Sequence, residues 1–66
     1  MFKIEIDRET DGRFIAEISE LPGALAYGET REQAVAKVEA IALRTLADRV
    51  EQGESVPELP LLFSAA

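Results

Sequence analysis

Thirteen carboxylates in a chain of 66 residues are the first chemistry to weigh. Asp7, Glu17 and Glu39 can be placed on two strands and a helix, where their oxygens would suit a hard cation such as Mg²⁺. They fall, however, at the polar beats of ordinary amphipathic segments, and no acidic loop has the spacing of a calcium site. Charge on a polar face is usually a solvated face, so the solvent reading outweighs the metal reading. Ser19, Thr30 and Ser55 are the hydroxyls that could act as nucleophiles, but the chain has no His to activate them and no Cys to replace them. The glycines are too dispersed to cradle a phosphate, and Glu29 and Glu32 at the helix start repel an anion. No catalytic, metal-binding or cofactor-binding residue is expected, and the chain reads as a non-enzyme.

The segments that carry these groups are short and well punctuated. Phe2, Ile4 and Ile6 alternate with Lys3, Glu5 and Asp7, the period of a strand with one face buried. Asp11-Gly12 then predicts a hairpin turn, because Gly tolerates the positive φ of tight antiparallel connections. The returning strand puts Phe14, Ala16 and Ile18 on one face. Ile15 stands out on the other, an apolar residue where a polar one is expected. Leu21-Pro22-Gly23 ends that strand in a turn, a third short strand covers residues 24–27, and Gly28 breaks it.

Thr30 predicts an N-cap, and Gln33 completes a capping-box pattern. Ala34, Val35, Val38, Ile41, Ala42, Thr45, Leu46, Arg49 and Val50 then recur at helical spacing as one apolar stripe, and Gly53 is placed to end the helix. Beyond it, Pro57 and Pro60 exclude helix and argue against a central strand; Leu61, Leu62 and Phe63 are expected to form a fourth, edge strand or to dock on another chain. The expected class is α+β, with a three-stranded antiparallel sheet, one long helix and a short edge strand, all in a single domain spanning 1–66. Ile15, Leu21, Tyr27, Leu61, Leu62 and Phe63 are the candidate residues for contact with a partner or another copy. Tyr suits such a role because it offers apolar area and a hydroxyl together.

Composition narrows the partner. With 13 acidic and 7 basic residues the net charge is −6, which repels nucleic-acid backbones and steers basic proteins. The start of the chain lacks the basic and apolar blocks of a secretion signal, and no run approaches the roughly 20 apolar residues of a membrane span. A cytoplasmic protein without direct nucleic-acid or membrane binding is expected. A chain this small buries only about 60% of its unfolded surface, and disulfides are ruled out, so self-association is the expected aid to stability.

Several pieces in fixed order resemble the HicB-like antitoxin family: Gly12-Arg13-Phe14-Ile15-Ala16, then Glu20-Leu21-Pro22-Gly23-Ala24, then Gly28-Glu29-Thr30-Arg31-Glu32-Gln33-Ala34, and finally Gly53-Glu54-Ser55-Val56-Pro57. The likeness covers about residues 2 to 60, with Ser19 and Ala24 standing where many members carry Pro and Cys. It implies a β-β-β-α-β, partial RNase H-like unit without the nuclease's catalytic set. It also implies neutralisation of a small basic HicA-type toxin, an mRNA interferase, by direct protein contact, together with assembly into dimers or tetramers. Members usually add a C-terminal DNA-binding domain; none is expected here, and DNA binding is not carried over. The alternative expectation is a stand-alone homo-oligomeric regulatory or scaffolding module with no toxin.

Overall fold

The computed structural model describes residues 2–57 and 59–63, except for the side chain of Leu62. Three strands, β1 (Glu5–Arg8), β2 (Phe14–Glu17) and β3 (Leu25–Gly28), precede a long helix, α1 (Arg31–Glu51), and a single helical turn, α2 (Leu59–Leu62). The strands form one antiparallel sheet in the order β1-β2-β3. As the alternating apolar residues and the punctuated turns require, this is a three-stranded antiparallel sheet with one long helix, an α+β fold.

The two connections fix the register. Glu9 and Arg13 close the first hairpin, with the Arg13 carbonyl accepting from the Glu9 N–H at 2.7 Å and Gly12 at φ 92°. Ladder pairing therefore reaches forward to Arg8 opposite Phe14, later in the chain than the alternating run at residues 2–6 suggests. The second connection is a double turn. Ile18 O accepts from Leu21 N–H and Leu21 O accepts from Ala24 N–H, each at 3.0 Å, and Gly23 takes the positive φ of 88° that a Pro-Gly turn demands. Leu21 is the shared corner of both turns and points inward, 1% exposed.

One face of the sheet is covered by α1. Ala34, Val38, Ala42 and Leu46, one residue per turn, are its buried row. They meet Ala16, Ile18, Ala24 and Ala26 of the sheet side, with Ile6 and Phe14 packed at the margin. The central cross-strand pair, Ala16 opposite Ala26, is small, and the next pair sets Phe14 against Gly28. This allows the helix to lie close: a Cβ on Gly28 would sit 2.5 Å from the Ala34 nitrogen. Gly28 is thus the last residue of β3 and a point of close approach, more than a strand breaker.

The helix ends are built as their residues predict. Thr30 Oγ1 accepts from Gln33 N–H at 3.1 Å, and Gln33 Oε1 accepts from the Glu29 N–H at 3.0 Å, one residue before the usual capping-box donor. At the other end Glu54 N–H reaches Arg49 O at 2.9 Å and Gly53 N–H reaches Val50 O at 3.1 Å, with Gly53 at φ 78°, a Schellman cap. Val50, expected in the buried stripe, is 43% exposed.

No fourth strand is formed among the described residues. Residues 59–62 instead make a helical turn, closed by Phe63 N–H to Leu59 O at 3.0 Å. Pro57 and Pro60 lack the N–H that edge pairing needs, whereas a proline in the first turn of a helix forfeits no internal bond. The tail is anchored by Val56, which is buried, and by Leu59, which packs against the core.

Candidate protein-binding face

The register that buries Ile6, Ala16 and Ala26 under α1 turns their neighbours outward. Glu5 and Asp7 of β1, Ile15 and Glu17 of β2, and Leu25 and Tyr27 of β3 therefore share the uncovered face. Across it, Ile15 is paired with Tyr27 on one side and Asp7 on the other, while Glu17 lies between Leu25 and Glu5. Ile15 is half-buried by these neighbours; Leu25 and Tyr27 remain 40% and 38% exposed. The face is an apolar row of Leu25, Ile15 and Tyr27 beside a carboxylate flank of Glu5, Asp7 and Glu17.

Two features of this face run against the usual pairing rules of sheets. Glu5 stands directly opposite Glu17, and like charges so placed destabilise a strand pair. The nearest relief is a long hydrogen bond from Ser19 Oγ to Glu5 Oε1 at 3.4 Å, and neither glutamate nor Asp7 joins an ion pair among the described residues. Leu25 adds a large apolar side chain on a wet surface of β3, an edge strand.

One corner is held together by Arg13. Arg13 Nε lies 2.7 Å from Asp11 Oδ2, Asp11 Oδ1 accepts the Arg13 N–H at 3.0 Å, and the guanidinium rests 4.6 Å from the centre of the Tyr27 ring. The Arg13 N–H, and then its guanidinium, hold the Asp11 carboxyl below its ordinary pKa. Beside this corner Arg13, Tyr27, Gly28, Glu29, Gln33 and Lys37 line a shallow open depression of about 270 Å³. Its Arg13 and Gln33 groups are already engaged within the chain, so it has the character of a margin and not of a ligand pocket.

The sequence-predicted contact residues separate into three groups. Ile15 and Tyr27 are brought together on the open face. Leu21 is withdrawn into the core and offers no surface. Leu61 and Phe63, 76% and 72% exposed, lie in and just after α2, and the side chain of Leu62 lies outside the described residues. Leu25 was missed by sequence reasoning, although strict alternation from Ala24 and Ala26 would have put it beside Ile15. The carboxylates weighed as metal ligands do not converge: Asp7 and Glu17 occupy the open face, Glu39 is exposed on the helix layer, and no metal-holding group is found among the described residues.

No helix among the described residues is long and apolar enough to cross a membrane. Compared with protein-family models, with curated proteins and with solved structures, the chain finds no match.

Proposed function

We propose that this chain is a HicB-like protein-binding module that neutralises a small basic mRNA interferase of the HicA type by direct contact, without catalysis of its own. The observation that supports it is the open sheet face, where an exposed apolar row borders a carboxylate flank with no internal counter-charge among the described residues. A partner bearing Lys or Arg around an apolar patch would relieve the Glu5–Glu17 opposition and cover Leu25 and Tyr27 in one step. The net charge of −6 draws such a partner in from a distance.

The test is recovery of the tagged chain from its native host, with bound protein identified by mass spectrometry and assayed for RNA cleavage before and after release. The expected result is a small basic protein in stoichiometric amount, silent in the complex and active when freed. Leu25→Lys and Glu17→Lys variants, both at exposed positions, should lose it while keeping their circular dichroism spectrum. A purified chain that yields only itself, or a bound protein that cleaves RNA equally well in the complex, would overturn the reading.

A further inference from the structure

The outer side of α1 carries a second apolar row that the fold does not use. Ala36, Ala40, Leu43, Ala47 and Val50 succeed one another at alternating spacings of four and three residues. They lie on the side of the helix away from the sheet, with Leu43 63% and Val50 43% exposed, and Ala36 and Ala47 exposed as well. This is the spacing of a helix–helix seam, and over residues 36–50 it runs for about 21 Å. Glu32 and Glu39 follow one edge of the row; Lys37 and Arg44, and then Glu51 at the end of the helix, follow the other.

Glu32, Glu39, Lys37 and Arg44 have no use inside the chain. No basic residue stands three or four positions from Glu32 or Glu39, and no acidic one from Lys37; Arg44 has only Asp48 within reach. None of the four forms an ion pair among the described residues. We infer that the outer face of α1 is a homodimer seam in which two copies pair their helices in parallel, Glu32 facing Lys37 and Glu39 facing Arg44 of the second copy. Parallel pairing sets opposite charges together on both edges of the seam. An antiparallel pair centred on the same row sets Lys37 against Glu51 of the second copy, but it opposes Arg44 with its own copy and leaves Glu32 and Glu39 with no basic residue across the seam.

The occupant follows from the same pattern: a row whose acidic edge matches its own basic edge is complementary to itself. Two-fold symmetry satisfies both edges at once. A seam of about two heptads falls in the small, reversible class of interface, so the pair dissociates on dilution. The seam and the open sheet face lie on opposite sides of the molecule, so each proposal fails or survives without the other.

Sedimentation of the full chain over a concentration series, with circular dichroism as the control for folding, tests the seam. The wild type is expected as a monomer–dimer equilibrium. Leu43→Glu should raise the dissociation constant by roughly 100-fold, as loss of a central interface residue does. Glu39→Lys and Arg44→Glu should each weaken the dimer several-fold, because each sets like charges across the seam. Mixing those two variants should restore it, because in the mixed pair the introduced lysine meets the introduced glutamate and the native Glu39 meets the native Arg44. A wild type monomeric up to millimolar concentration overturns the inference, as does a dimer indifferent to Leu43→Glu. Single variants that do not rescue each other overturn the parallel pairing.

Discussion

Gly28 shows how a single hydrogen in place of a methyl sets the distance between the two layers. An added Cβ would meet the Ala34 nitrogen at 2.5 Å, Gln33 Cβ at 2.9 Å and Ala34 Cα at 3.0 Å, and two of these atoms are backbone that cannot swing aside. Gly28→Ala should therefore lower unfolding stability by about 2 kcal/mol in urea titration, the scale of an overpacked core. Asp11 supplies a different residue-scale prediction. Its folded pKa lies below the ordinary value, so its pairing with Arg13 contributes stability that is present above the unfolded pKa of about 4 and is lost as pH falls through the lower folded value. Asp11→Asn keeps an oxygen for the Arg13 N–H but loses the charge; its stability should fall less steeply than that of the wild type below pH about 4, as thermal unfolding over a pH series would show.

At the scale of elements, α1 begins where Thr30 and Gln33 say it must, because a side chain that satisfies a free backbone donor acts locally and needs no tertiary context. Thr30→Ala should cost about 1 kcal/mol, measured by chemical denaturation, since Gln33 N–H loses its acceptor. The strands and the Gly12, Gly23 and Gly53 turns were legible for the same reason: each rests on near neighbours and on a backbone conformation that glycine tolerates. Residues 59–62 were not. Leu59, Pro60, Leu61 and Leu62 present an apolar run too short to show a period, so nothing in it separates a proline tolerated in a first helical turn from one excluded from later turns. Leu21 was misplaced because a residue beside Pro-Gly looks exposed; only two consecutive turns sharing it as their corner reveal that it folds inward.

Across the whole molecule the helix is longer than the sheet it covers. A helix of 21 residues extends about 32 Å, whereas a strand of four spans about 13 Å, so the far turns of α1 lie beyond the strands. The molecule is elongated, 47 × 20 × 14 Å, and Val56 of the tail is buried in the same core as Leu46 of α1. Two surfaces on opposite sides then carry different forces. The sheet face relies on net negative charge, so association with a basic partner should slow markedly between low salt and about 0.5 M, as stopped-flow mixing would report, with dissociation less affected. Both faces were written in the sequence as patterns, but assigning Ile15 and Leu25 to one side required the strand register, which depends on where the hairpin closes.

The chain contains one tyrosine and no tryptophan, so excitation at wavelengths beyond the phenylalanine band reports on a single ring, placed on the open face with Arg13 stacked against it. The protein thereby carries its own optical probe. Anything that settles over Leu25 and Ile15 must dislodge the guanidinium or shield the ring, and the emission of Tyr27 would change; pairing along the outer side of α1 would leave it dark to the event. Titrations followed at that one wavelength can tell which side of the molecule is occupied, with no label attached.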